Sequence, residues 1–413
     1  MKAFAGKRVL MLLENNPYPQ DARVRQEART LATAGYQVSI ICPRATGQPW
    51  QETLDGVHIF RFPLPLEASG FLGYLWEYGF AMVAMFLFSL FVFVRRGIDI
   101  VHTHNPPDTL VLIAAFYKLL GKRFIYDHHD LAPEMYCALF DSHAVTHAVG
   151  HANRLVHRTL LWFEKLSCRL ANHVIATNQS YKAIEMQRGH VPEESITIVR
   201  NGPDLNRLRS VEPGPDLHHK EKITLCYVGS MGFHDGVDYL LRALQQLVRE
   251  LGRTDFFCVL VGAGEAWSHV RSLSKQLCLT DHVLFIGRVE PGEVPYYLSA
   301  AGICVAPEPS NPYNDRSTMI KMMEYMALGK PIVAFDLPEH RFTAQAAALY
   351  ACPNDELDFA EKLAQLMDDP ELCQQMGQIG RERVERELAW PHQAMNLLKV
   401  YEKVLGHIPG QPA

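Results

Sequence analysis

The chain has no disulfide or zinc framework to organise it. Its nine cysteines, at 42, 137, 168, 226, 258, 278, 304, 352 and 373, are scattered singly, odd in number and without a CxxC. That pattern argues against a stapled secreted fold and fits a reducing cytoplasm. A strong charge of either sign is also missing, with 40 basic against 45 acidic groups and a formal net charge of −5, so nothing points to nucleic acid as a partner. No DxD triplet is present to hold a metal on a diphosphate. No small-residue cleavage site follows the opening "MKAFAGKRVLMLLENN", which reads as a strand rather than a secretory signal. What the sequence does have is length and apolar content: 413 residues, 48% of them apolar, enough for two sizeable cores.

Short β-branched runs alternate with helix-length segments. "KRVLMLL", "QVSIICP", "VHIFRFP", "IDIVHTH", "RFIYDHH" and "HVIATN" come first, then "ITIVRN", "ITLCYVG", "FFCVLVG", "HVLFIG", "GICVAP" and "PIVAF". This is the pattern of parallel βαβ units and predicts an α/β chain of two doubly wound domains. The proline- and glycine-rich stretch "GPDLNRLRSVEPGPDLHHKEK" marks the boundary. It divides the chain into residues 1–195, a second domain of 196–388, and a helix with a tail over 389–413. Open α/β sheets bind ligands outside the carboxyl ends of their strands, so function is expected in the loops that follow strands.

Two segments suggest a membrane surface. Residues 78–94, "YGFAMVAMFLFSLFVFV", are 17 consecutive uncharged residues followed by Arg95 and Arg96, at the lower edge of what can span a bilayer. They fall between two strands of the first sheet, which favours a buried or interfacial helix over a span. "NRLVHRTLLWFEKLSCRL", residues 153–170, sets Arg154, Arg158, Lys165 and Arg169 beside Leu155, Trp162 and Phe163, which suits a headgroup layer or an ordinary solvated helix face. Residues 1–200 carry 20 basic and 17 acidic groups, and the rest 20 and 28. The expected location is therefore the cytoplasm, with peripheral attachment to the inner membrane through the first half.

Chemistry is concentrated in a few loops. "VLVGAGEAWSHV" imitates half of a dinucleotide fingerprint, but Trp267 stands where a third glycine is needed. "CYVGSMGFHDGVDYLL" places Gly229, Ser230, Gly232 and Gly236 just before a helix, where free amides suit a phosphate. "NDRSTMIKMMEYMALGKPIVAFD" puts Ser317, Thr318, Met319 and Ile320 at another helix start with unpaired amides, and Lys321 and Glu324 three apart on one face. A cation with helix-end amides can hold a diphosphate, and a carboxylate one turn later can accept two ribose hydroxyls. The bland alternative is that Lys321 and Glu324 form a surface ion pair. "DHHDLAPE" gathers Asp127, His128, His129, Asp130 and Glu134. Adjacent histidines on an extended segment point to opposite sides, which favours substrate contact over metal binding. His143, His147 and His151 have helical spacing, but no carboxylate repeats with them, so an exposed face is expected. No metal and no cofactor are assigned.

"KMMEYMALGKPIVAF" resembles the donor-site helix of the family 4 retaining glycosyltransferases, whose GT-B architecture has two Rossmann-like domains. "DARVRQEARTLATAGYQVSII", "IDIVHTHNPPDTL", "IVRNGPDLNRL" and "LAWPHQAMNLLKVYEKVL" are similar to further family segments in the family's order, the last to a helix that crosses back to the first domain. "YDHHDLAPEMY" resembles a motif of a bacterial branch that builds surface polysaccharides. The resemblance implies transfer of a sugar from a nucleotide diphosphate sugar, with UDP as the expected carrier, to a lipid-linked or saccharide acceptor with retention of configuration. It implies that Glu324 holds the ribose. Lys321, the amides of Met319 and Ile320, and the Gly229 loop hold the phosphates, and Phe285 to Arg288, including Ile286, line the base. Asn201 joins the donor side. His129, with Asp130, falls near the reacting carbon, and Asp21, Arg23, His104, Asn105 and Glu134 fall on the acceptor side. Two departures qualify this: Arg316 stands where many members have a first glutamate, and Asp235 where a phosphate-binding lysine is common. A nucleotide-sugar epimerase and a catalytically silent sugar-nucleotide-binding protein remain as alternatives.

Overall fold

A computed structural model of the chain describes residues 6–64, 70–142, 152–212 and 222–406. His143, His147 and His151 lie outside these residues. The chain divides into two compact units. The first takes the described residues up to 135, 152–201 and those from 393 on; the second takes 202–392 with 136–142.

The first unit is built on eight strands: β1 (Arg8–Leu12), β2 (Gln37–Pro43), β3 (Gln51–Leu54), β4 (Val57–Phe62), β5 (Ile100–His104), β6 (Arg123–His128), β7 (His173–Ala176) and β8 (Ile196–Ile198). Their order is β3-β4-β2-β1-β5-β6-β7-β8, and every pairing is parallel except the β3–β4 hairpin. The order reverses between β1 and β5, so a crevice opens there at the carboxyl ends of the strands. "ITIVRN" corrects the predicted boundary at 195. Ile196–Ile198 pairs with β7, Val174 opposite Ile196, so it closes the first sheet instead of opening the second. From Gln393 on, the terminal helix Trp390–Val404 also belongs to the first unit. Gln393 accepts from the Arg200 amide at 3.0 Å, and Tyr401 packs edge-on against Tyr36 at 5.2 Å.

The apolar run at 78–94 lies in the helix Gly70–Arg96, whose segment Trp76–Arg96 is long and apolar enough to cross a membrane. One of its faces is buried, with Ala81, Met85, Ser89 and Val92 covered. Ser89 there accepts a hydrogen bond from Tyr117 at 2.9 Å. Val83, Leu87, Phe91 and Val94, three or four apart, and Trp76 two turns before them are exposed. The helix is thus apolar all round but packed on one side only.

His173 opens β7, buried, with Nε2 2.8 Å from Thr197 Oγ1. Burial, reinforced by Lys403, pushes it down to about 4. Because the folded value is depressed, the unfolded chain takes up the proton first as pH falls. Stability present above about 6.5, the ordinary histidine value, is lost on the way down to about 4. Between pH 7 and 5 the wild-type first unit should lose about 2 kcal/mol relative to His173→Gln. Parallel stability curves in urea titrations would remove His173 as the cause.

The second unit carries β9 (Ile223–Val228), β10 (Phe256–Val261), β11 (Val283–Gly287), β12 (Ile303–Ala306), β13 (Ile332–Phe335) and β14 (Ala348–Ala351), ordered β11-β10-β9-β12-β13-β14. All are parallel. This is the Rossmann order, with its switch point between β9 and β12. Two apolar layers enclose the sheet. One is built around Leu240, Leu244 and Phe359, the other around Met322, Met323 and Met326. The methionines of the helix Ile320–Ala327 are therefore core.

Candidate functional site

In the first unit, the carboxyl end of the switch point is polar and closed to water. Asp127, fully buried, takes a two-pronged hydrogen bond from Arg23 at 2.7 and 2.6 Å, and a third contact from His104 Nδ1 at 2.9 Å. His129 Nδ1 lies 3.3 Å from the same carboxylate. Burial alone would raise the Asp127 pKa, but Arg23 and the two histidines hold it well below the carboxylate range. Burial lowers His129, yet the hydrogen bond and charge of Asp127 outweigh it, and the net shift is upward. Asn105 accepts from the amides of His129 and Asp130 at 2.8 and 3.1 Å and donates to the Asp130 carbonyl at 2.7 Å. It thereby fixes the loop that presents His129. Arg23 also donates to Val199 O and to Asn201 Oδ1, at 2.9 and 2.7 Å.

Several nominated residues do other work. Asp21 caps the helix Ala22–Thr33 by accepting from the Val24 amide at 2.9 Å. Glu134 takes two bonds from Arg188, at 2.6 and 3.2 Å, and Arg188 also holds Glu164, which makes this an ion network. Asn201, expected on the donor side, is brought to Arg23 inside the first unit. His128 and His129 diverge: His128 faces Glu185 at 3.2 Å and stacks on Tyr126.

In the second unit, the loop after β9 and the loop after β12 flank the switch point. Gly236 has φ +71, and a Cβ there would lie 2.1 Å from the Pro307 carbonyl oxygen. Gly262 plays the same part toward the Gly229 carbonyl, at 1.8 Å. The glycines that imitate a dinucleotide fingerprint thus serve backbone packing between neighbouring loops. Asn314 donates to the carbonyls of His234 and Pro309, each at 2.8 Å, and ties the two loops together. Asp235 accepts from the Gly232 amide at 2.8 Å, so it caps its own turn.

Lys321 and Glu324 do not pair with each other. Lys321 Nζ donates to Glu308 and to Tyr227 Oη at 2.9 Å, with Asp235 at 3.8 Å. Burial would lower its pKa, but Glu308, Tyr227 and Asp235 raise it, so the ammonium stays charged and is already neutralised from within. This corrects the expectation of a cation free to meet phosphates, and equally that of a surface ion pair. Glu324 receives Arg207 at 3.4 Å, and burial raises its pKa against the pull of Arg207 and Lys321. Tyr325 Oη, 2.9 Å from the Val228 amide, holds the helix against β9. Met319 is the N-cap, and its side chain caps nothing. Ser317, by contrast, is spent: its amide donates to Asn314 O at 3.1 Å, and its hydroxyl to Tyr313 O at 2.8 Å. Thr318 reaches Glu339 at 3.3 Å. Ser230 and Arg288 are exposed, Ile286 half-buried, and Arg316 donates to Pro312 O at 2.5 Å.

The sequence reading missed Glu27, His102, Glu308 and Arg207. Glu27 follows Arg23 by four on one helix, and His102 precedes His104 by two on one strand face, so spacing carried a signal for both. Glu308 lies two residues past the end of β12, another usable cue. Arg207 had none.

Comparison with known proteins follows the same division. The model "Glycosyltransferase Family 4" matches residues 21–207, and the model "Glycosyl transferases group 1" matches 212–383. The chain spans 66% and 35% of the lengths of the first two curated relatives it matches. It is 25% identical to the 2-deoxystreptamine glucosyltransferase of Streptomyces kanamyceticus, over 93% of this chain and 98% of that protein. Among solved structures, sucrose-phosphate synthase from Thermosynechococcus elongatus superposes with a TM-score of 0.78 at 19% identity, over 97% of this chain and all of that one. Anabaena Alr3699/HepE in complex with UDP-glucose gives 0.71 at 14%, over 96% and 99%. With the two domain models meeting at the segment where one sheet gives way to the next, and with two doubly wound, Rossmann-like sheets as the sequence predicts, the chain belongs to the family 4 glycosyltransferases of GT-B fold.

Proposed function

We propose that this chain transfers a sugar from a UDP-sugar to a hydroxyl of a lipid-linked or saccharide acceptor, with retention and without a metal on the diphosphate. The observation that supports it is the second sheet's switch point. There a glycine loop, an uncapped helix turn and the carboxylate of Glu324 meet at the carboxyl ends of β9 and β12, the arrangement that suits a nucleotide. In this reading Glu324 holds the ribose hydroxyls, the amides of Met319 and Ile320 and of the Gly229 loop meet the diphosphate, and Phe285 to Arg288 line the base. With Lys321 paired inside the unit, the diphosphate charge falls chiefly to these backbone amides. His129, oriented by Asp127 and Asn105 and raised in pKa, is the first unit's candidate for contact with the reacting sugar. The glycosyl carbon–oxygen bond to the diphosphate breaks as the acceptor oxygen bonds to that carbon on the same face, and the acceptor proton passes to the leaving phosphate. The proteins named above are a glucosyltransferase, a synthase and a protein complexed with UDP-glucose, which leaves the epimerase alternative without support.

Incubation with labelled UDP-glucose and candidate acceptors tests the reading: label in acceptor supports it, and a changed free donor or no turnover overturns it. Glu324→Ala should weaken UDP binding by about 1.5–3 kcal/mol, the size of hydrogen bonds to a charged group. Unchanged calorimetric affinity would take Glu324 out of the site.

Membrane attachment is part of the same proposal. The exposed stripe Trp76, Val83, Leu87, Phe91 and Val94 adjoins the helix Val111–Leu119 through Phe86 and Phe116, whose rings are 5.2 Å apart. That second helix exposes Leu112 and Leu119, and the helix Ala152–Leu170 exposes Leu155 and Trp162. Arg95, Arg96, Arg154 and Arg158 accompany them, each contributing about 1 kcal/mol near anionic lipid. The chain should float with anionic liposomes at low salt and less at high salt. Failure to float at low salt sinks the surface model, and retention in alkaline carbonate favours a span.

A further inference from the structure

Behind Asp127, four buried side chains of the first unit converge: Glu27, His102, His104 and Asp127 each offer an atom within 4.8 Å of the others. They come from one helix and two adjacent strands, with His104 opposite Asp127 in the β5–β6 register and His102 two residues earlier on the same face. The hydrogen bonds already made decide what is left over. Asp127 can only accept, so His104 Nδ1 carries the proton between them, and its Nε2 bears a lone pair. His102 Nδ1 is 2.8 Å from Tyr401 Oη. Among the described residues, His102 Nε2, His104 Nε2 and both oxygens of Glu27 have no hydrogen-bond partner, though all three side chains are fully buried. The nearest contacts of Glu27 are Arg23 Nε at 3.3 Å and His102 Nε2 at 3.8 Å.

Such orphaned groups are costly in a dry interior. Charge compounds the cost. Arg23 gives its short two-pronged hydrogen bond to Asp127 and reaches Glu27 only as a longer ion pair at 3.3 Å. Two histidines whose Nδ1 atoms are engaged by a phenol and a carboxylate, with His102 Nε2 3.8 Å from the Glu27 carboxylate and His104 Nε2 left without a partner, form the outer and inner layers of a metal site. We propose that Glu27, His102 and His104 bind one buried divalent transition-metal ion of the zinc class, with Asp127 and Tyr401 orienting the two imidazoles. Zinc bonds of about 2.0–2.2 Å to nitrogen and oxygen would require the donor atoms to close by about an ångström. The ion would anchor the helix Ala22–Thr33 to β5 and fix the carboxylate on which His129 rests. This site is distinct from the donor diphosphate and stands whether or not the transfer reading does.

The test uses the full chain, stripped with a chelator and then offered Zn²⁺ or Co²⁺. Wild type should take up one equivalent that survives gel filtration, with ligand-field bands in the Co²⁺ form. His102→Gln and Glu27→Gln should lose it. Tyr401→Phe, which keeps all three ligands, should bind about 10–100-fold more weakly, and it serves if the ligand variants fail to fold. A wild-type chain without bound metal or bands overturns the proposal. So does metal that persists in both ligand variants, which would mark surface histidines as its holders, and so does Tyr401→Phe binding as tightly as wild type.

Discussion

Lys321→Met should destabilise the second unit by about 3–5 kcal/mol, the cost of leaving one partner of a buried ion pair alone. Glu308 is fully buried, and once the ammonium is gone its remaining neighbour is His340 Nε2 at 3.7 Å. That imidazole is kept neutral by burial, which lowers its pKa despite Glu308. Asp235 loses the same cation. In urea the midpoint should fall by about 1–2 M for a unit of this size. The companion variant is Lys321→Met with Glu308→Gln, which removes both charges and should recover most of the loss. A single variant as stable as wild type, or a double no better than the single, would show that the pair contributes little. The experiment also bears on function: if Lys321 is chiefly a structural cation, UDP affinity in the double variant should stay close to wild type.

The first unit has its counterpart in Arg23→Met, also expected to cost about 3–5 kcal/mol. The guanidinium satisfies both oxygens of Asp127, the Val199 carbonyl and Asn201. No lysine can reproduce that fork, so Arg23→Lys should recover less than half of the loss. pH separates this mechanism from simple loss of packing. In wild type the Asp127 pKa is depressed, so its contribution is present above the ordinary carboxylate value of about 4 and is lost only as pH falls through the lower folded value. Without Arg23 the buried carboxyl should move upward, so the deficit of the variant should shrink as pH falls from 7 toward 4. A deficit independent of pH would point to packing alone.

Much of this was legible in the sequence because it is local. β-branched runs between helix-length segments gave two doubly wound sheets. The three-residue spacing of Lys321 and Glu324 put them on one helix face. "DHHDLAPE" drew attention to the end of β6. What could not be read was the partner of each charged group, because it arrives from elsewhere in the chain. Lys321 meets Glu308 through the neighbouring loop, Glu324 meets Arg207 across 117 positions, and Arg23 meets Asp127 across 104. A helix face predicts direction but not company. The same blindness misplaced "ITIVRN": three residues of strand have no intrinsic allegiance, and only pairing with β7 assigns them to the first sheet. Glu27 and His102 were missed because each looks like an ordinary polar residue until parallel register stacks it beside His104.

The terminal helix has a consequence for how the molecule is made. Tyr401 touches Tyr36 and His102, and Gln393 caps Arg200, so the first unit lacks part of its interior until residues near 400 have left the ribosome. The second unit lies between and can be synthesised whole before that moment. Vectorial synthesis would ordinarily let the amino-terminal domain fold first. Here the later-made unit can finish earlier, while the one begun first waits, with the polar pocket around His102 unsealed, for its last helix to arrive.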